Sequence, residues 1–244
     1  MTQWMTGRRW GLVLVLLLTW GLASCGGGKS PEKATSGGAA ASNNNASLNK
    51  NDYPVFPNPD AGADPSVPAE MGGKGFKGDG WETNTDFDLI GDPRAVKGGL
   101  YRDAILDFPG TLRMAGPESN TSTNYAIMSM AYESLVGLHP TTFKYMPSLA
   151  THWQISPDKQ TFRFRIDPNA RFSDGSPVTS DDVVASWNLM VDKTLESPSS
   201  IEQYGRFDPP VAESKYIVKV HAKELGWQNF DIFGGMRIFP SSIL

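Results

Sequence analysis

The chain predicts an α/β protein, and three observations carry that class. Residues 161–166 and 216–220 alternate apolar and polar side chains at a period of two, whereas 122–136 and 183–190 carry apolar residues at helical spacing. Turn and cap signals stand between these segments. A hydrophobic share of 39% against 20% charged residues suits a globular fold and excludes both a disordered chain and a multi-span membrane protein.

The chain opens on an address. Arg8 and Arg9 precede an eleven-residue, nearly uninterrupted apolar run from Trp10 to Trp20, too short for the ~20 residues a spanning helix needs. Residues 1–24 therefore predict a signal peptide. At its end, Leu22-Ala23-Ser24-Cys25 resembles the lipobox of bacterial lipoproteins. That resemblance implies that Cys25 becomes the mature N-terminus and carries thioether-linked diacylglycerol. The protein is then exported and lipid-anchored to the bacterial membrane, facing the periplasm or the cell exterior. Each buried acyl CH₂ contributes about 0.8 kcal/mol, so two or three chains hold a protein on a bilayer.

From Cys25 to Gly80, 17 of 56 residues are Gly or Pro, with Ser42-Asn43-Asn44-Asn45 inside. Burial offers little to offset the ordering entropy of such a segment. Residues 25–90 predict a flexible tether, Asp92-Pro93 marks where order begins, and 91–244 remain for the globular part. Removing the leader takes away two basic residues and no acids, so the mature chain carries 20 basic against 26 acidic residues, a net charge of −6. No basic cluster stands beyond Arg8-Arg9, which excludes a nucleic-acid footprint. One cysteine excludes an internal disulfide and a thiolate zinc site, and His139, His152 and His221 lack ligand spacing. Neither metal nor cofactor is expected.

Within the globular part, 100–105 and 111–114 predict short strands around a Pro109-Gly110 turn. Ile127, Met128, Ala131 and Leu135 predict an amphipathic helix over 122–136, with Gly137 as its left-handed terminator. Residues 161–166 place Phe162, Phe164 and Ile166 on a buried face and Arg163 and Arg165 on the other. Asp174-Gly175 predicts a turn. Thr179, three residues before Asp182, predicts a helix N-cap whose acidic partner reaches back to it. A strand at 216–220 and an aromatic-rich stretch at 226–232 follow. Trp153, Phe172 and Trp187 are assigned to packing.

No catalytic constellation emerges. A Gly-x-Ser-x-Gly elbow and a phosphate loop are both missing from the chain. Asp181 and Asp182 are adjacent in a first helical turn, point in different directions and suit the helix dipole. An exported, tethered α/β protein of this kind is a capturing device and not an enzyme.

The order of the pieces resembles the family 5 extracellular solute-binding proteins, the peptide- and nickel-type receptors of ABC importers. Lys97-Gly98-Gly99-Leu100 resembles the family's entry into its first strand and Tyr132-Glu133-Ser134-Leu135-Val136 its first helix. The segment 145–153, with Tyr145, Pro147, Leu149-Ala150 and Trp153, matches the family's pattern. The run Ser156-Pro157-Asp158, residues 161–166, Ala170-Arg171-Phe172-Ser173-Asp174-Gly175 and residues 177–183 resembles its signature most specifically. The resemblance implies a bilobal, type II periplasmic-binding-protein-like fold, of which this chain covers part of the first lobe. It also implies a membrane-anchored substrate-binding component that captures oligopeptides or a similar small solute and delivers it to permease subunits. In peptide-binding members the segment before the first helix offers backbone groups to an extended peptide. Met114, Ala115, Gly116 and Glu118 lie in the part of this chain that resembles it, and a plain strand-to-helix connection accounts for them equally. Tyr204 resembles a tyrosine brought toward the cleft and is equally a core residue. A surface adhesion or signalling protein reusing the lobe, a secreted hydrolase and a truncated fragment without function stand as alternatives.

Overall fold

The computed structural model describes residues 60–244 apart from 88, 89, 93, 97, 106 and 107. All of them belong to the compact unit Ser47–Leu244. The signal peptide, Cys25 and the first part of the tether lie outside the described residues.

A four-stranded antiparallel sheet organises the fold. Its strands, β3 (Ala150–Ile155), β4 (Thr161–Ile166), β5 (Val211–Ala212) and β6 (Ile217–His221), stand in the order β3-β4-β6-β5. A two-stranded ribbon of β1 (Val136–Leu138) and β2 (Tyr145–Pro147) forms a second sheet. The period-two pattern of β4 is the period of the pleat: Phe162 pairs with Val220 and Phe164 with both Val218 and Trp153, and all five are buried. Against this inner face pack α2 (Ser180–Val191), through Val183 and Trp187, and the short α4 (Asn229–Gly234), through Phe230 and Phe233. Phe230 is the hub. Its ring lies 4.7 Å from Tyr145, 5.5 Å from Phe162, 5.4 Å from Phe164 and 6.3 Å from Trp153, centroid to centroid. Phe172 packs on the edge of the same core.

Helix α2 begins where the sequence places it. The Asp182 Oδ2 accepts from the Thr179 N–H at 2.8 Å and from its hydroxyl at 2.9 Å, while Oδ1 accepts from the Ser241 N–H at 2.8 Å. The same carboxylate thus caps the helix and ties down the segment that closes the chain. Gly175, at φ 88°, makes the turn beside Asp174.

Four expectations differ from the structure. Residues 100–105 and 111–114 form no strand: no ladder partner faces them among the described residues, and Leu100, Tyr101, Ile105 and Leu112 are exposed. Helix α1 (Ser122–Ala131) stops short of residue 136, and Gly137 lies in β1 instead of terminating a helix. Long-range pairing overrides helical spacing here. Leu149 and Ala150 donate to the carbonyls of Ser134 and Leu135, Ile238 donates to that of Glu133, and Leu135 is completely buried. Ile127 and Met128, assigned to the buried face, are only half-buried, and Ala131 is exposed.

The largest correction concerns the tether. Residues 60–84 lie across the outer face of the sheet as a strap. Asp60 pairs with Arg165 at 2.5 Å and Asp64 with Lys215 at 2.7 Å; the Asp64 N–H donates to the Tyr216 hydroxyl at 2.9 Å. Arg165 also donates to the Gly72 carbonyl and to Thr151, and the Phe76 ring covers its guanidinium at 5.1 Å. Further along, Glu82 bridges Trp153 in antiparallel fashion. Gly72, at φ 85°, passes so close that a Cβ there would lie 3.1 Å from Ile217 Cγ1. The strap orders because its backbone groups and carboxylates find partners on the sheet, a source of stability that apolar content does not register.

His152 is expected to make the strap sensitive to acid. Its Nδ1 lies 3.0 Å from the Thr151 hydroxyl, its ring meets Phe76 edge-on at 5.3 Å, and a Cβ on Gly78 would come within 2.9 Å of it. Burial first, and then the Arg165 charge, pull its pKa below the usual histidine value, with Asp60 opposing. A folded pKa below the unfolded one means that this contribution to strap docking is complete above pH ~6.5 and is lost as pH falls through the lowered value. Proteolytic cleavage within 60–82 is expected to accelerate between pH 7.5 and 5. His152→Phe, which cannot charge, should flatten that profile.

Candidate functional site

A cavity of about 560 Å³ lies between the loop before α1, the first turns of α1, the end of α2, the helix α3 (Pro198–Tyr204) and the segment after α4. Met114, Ala115 and Tyr204 line it, so three of the five residues named from the resemblance meet at one place although they lie far apart in sequence. Gly116 and Glu118 are not among its lining residues. They shape the loop instead: Gly116 at φ 100° and Glu118 at φ 61° turn the backbone, and the Gly116 carbonyl accepts from the Ser119 N–H and hydroxyl. The Glu118 carboxylate lies against Gly110, where an added Cβ would come within 2.6 Å of Oε2.

Tyr204 touches both the core and the cavity. It packs on the core next to Trp187, whose indole N–H donates to the Tyr204 carbonyl at 3.1 Å, and it also forms cavity wall. Burial, then the neighbouring Tyr125, push its phenol pKa up, with Arg237 acting the other way. The phenol therefore stays a neutral donor at physiological pH.

The rest of the wall is hydroxyl- and amide-rich, with Ser199, Ser200, Gln203 and Asn120 beside the thioethers of Met128 and Met190. Among the lining residues Arg237 carries the charge, and no carboxylate lines the cavity. The Arg237 Nη1 donates to the Tyr132 carbonyl at 3.0 Å, which holds the guanidinium in place without neutralising it. Such a wall can hydrogen-bond an extended polar ligand and take one anionic group. Sequence reasoning missed Asn124, Gln203 and Arg237. Arg237 sits between Met236 and Ile238, both buried, and an isolated cation between apolar residues carries no local motif. A larger cavity of about 740 Å³ beside Trp227 and Phe230 is mostly apolar and takes in none of the five named residues.

α2, α3 and most of the sheet fall within residues 144–230, which match the bacterial extracellular solute-binding proteins, family 5 Middle. Over these residues the chain is similar to that family. The chain is also similar to the periplasmic oligopeptide-binding protein OppA of Haemophilus influenzae, 34% identical over 84 residues, which are 34% of this chain and 14% of that protein. A probable ABC transporter-binding protein of Deinococcus radiodurans is 38% identical over 118 residues, 48% of this chain and 18% of the relative. The chain thus spans less than a fifth of either relative's length. Among solved structures, the Escherichia coli murein tripeptide binding protein MppA overlays with a TM-score of 0.49 at 22% identity, covering 57% of this chain and 30% of that one. The segment that matches the family model supplies α2 and α3 to the cavity, while the loop before α1 and Arg237 lie on either side of it in sequence. Among the described residues no helix is long and apolar enough to cross a membrane.

Proposed function

We propose that this chain serves as the substrate-capturing component of an ABC importer, with the cavity receiving one end of an oligopeptide or a similar small solute. The observation that supports it is a hydrogen-bonding cavity, built partly from family 5 sequence, whose charged lining residue is Arg237. In this reading Met114 and Ala115 present backbone to an extended ligand, Tyr204 donates from the opposite side, and Arg237 holds a carboxylate. Gly116 and Glu118 set the shape of the first wall. Permease subunits receive the solute, and the chemistry of the site is capture without turnover. NMR titration of the chain with trialanine and with trialanine amide tests it, since shifts report binding even at millimolar strength. Shifts at Met114, Ala115 and Tyr204 are expected with trialanine. Weakening by about tenfold or more is expected for the amide and for Arg237→Gln, the scale of a lost charged hydrogen bond. Trialanine that shifts none of these residues at about 10 mM, a concentration that spans weak binding, refutes the site.

The same reading includes the anchor. From the lipobox-like Leu22-Ala23-Ser24-Cys25, Cys25→Ser is expected to move the protein from the membrane to the soluble fraction, because serine cannot form the thioether. Fractionation with acyl labelling decides it; unlabelled wild-type protein argues against lipidation.

A further inference from the structure

Asn124 is 3% exposed and lies in the first turn of α1 on the cavity wall. Its Nδ2 donates to the Arg113 carbonyl at 3.2 Å and to the Ser119 carbonyl at 3.0 Å, the two ends of the loop that carries Met114, Ala115, Gly116 and Glu118. Its own N–H donates to Thr121 Oγ1, which fixes the residue in the capped helix start. Both amide protons are therefore committed to carbonyls, and the amide cannot flip without losing them. The cost shows on the other side. Asn124 Oδ1 is buried with no hydrogen-bond partner among the described residues. A buried orphan acceptor is destabilising, and an apolar side chain of similar size would avoid it.

We propose that Asn124 is a positioning residue: its amide staples both ends of residues 113–119 to α1 and thereby holds the loop wall of the cavity in the shape a ligand meets. The inference rests on the reading of that cavity as a solute site. Its geometry is independent of the ligand's identity. Arg113 is exposed and Ser119 half-buried, so water can replace the lost donors when the staple is removed. Global folding should then change little while the loop loosens.

Amide hydrogen exchange on the full chain, with Asn124→Leu beside wild type, separates the two. Exchange of the Ser119 N–H, which donates to the Gly116 carbonyl within that loop, is expected to accelerate by about tenfold or more in the variant, the scale of one or two hydrogen bonds. Exchange in β4 and the thermal midpoint should stay where they are. Asn124→Asp, whose carboxylate has no donor, should loosen the loop at pH 7.5 and recover part of the protection near pH 4, about where an ordinary aspartate regains a proton. Unchanged loop protection in Asn124→Leu overturns the proposal, and so does acceleration shared equally by β4, which marks a plain stability defect. Trialanine titration supplies the second arm, where weaker binding by Asn124→Leu supports the positioning role. Equal affinity in both proteins despite a loosened loop overturns it. A loop loosened by Asn124→Leu, beside a wild type that binds no trialanine, leaves the staple standing and defeats the solute reading alone.

Discussion

Arg165→Leu is expected to destabilise the chain by about 3–5 kcal/mol, the range found when one partner of a buried ion pair is removed. The Arg165 side chain is 3% exposed and its partner Asp60 16%. Leucine leaves the Asp60 carboxylate in a desolvated site with no countercharge, and it also leaves the Gly72 carbonyl and the Thr151 hydroxyl without their donor. The Phe76 ring loses the cation beneath it as well, a smaller contribution of about 0.5–2 kcal/mol. Chemical denaturation measures the total. Cleavage within 60–82 should rise in parallel, since the strap docks through this side chain. The pair between Lys215 and Asp64, more open to solvent than the Arg165 pair, provides the control. Solvent screens it, so Lys215→Ala should cost no more than about 1 kcal/mol. Comparable losses in the two variants would mean that the strap is not held by its buried pair.

Phe230→Ala is expected to cost about 3–5 kcal/mol as well, for a different reason. α4 has six residues, too few for a helix to persist in water on its own hydrogen bonds. It stays because Phe230 enters the aromatic cluster of Tyr145, Trp153, Phe162 and Phe164. Removing the ring leaves a void the sheet cannot collapse to fill, and the helix loses one of its two main anchors, the other being Phe233. Near-UV circular dichroism should weaken together with the denaturation midpoint. An unchanged aromatic signal with a loss below about 1 kcal/mol would show that the cluster is not the anchor of α4.

The parts of the fold that were legible are those whose signal is local. β4 reads from alternation alone because a pleated strand repeats every two residues, and α2 reads from Thr179 and Asp182 because a cap is a contact across three residues. Helix α1 was legible at its start and misread at its end. Leu135 fits helical spacing, but the carbonyls of Ser134 and Leu135 are claimed by Leu149 and Ala150. The site was legible in half. Met114, Ala115 and Tyr204 could be named from resemblance, while Asn124 looks like any polar residue in a first helical turn and Arg237 like a stray charge in an apolar stretch.

The sequence by itself determined the α/β class, the core side of β4, the start of α2 and the resemblance to solute-binding proteins. Each depends on residues within one element or on a run of neighbours. Only the tertiary structure decided that residues 60–84 are a strap, that Arg165 is buried, and that a loop, three helices and Arg237 enclose one cavity. The strap shows why. Its stabilising groups are backbone amides and two carboxylates, which are present in any polar segment, and they gain value only when a sheet face offers Arg165, Tyr216 and Lys215 at matching positions. Composition counts apolar surface, whereas a hydrogen bond or ion pair depends on where its partner comes to lie after the chain has folded.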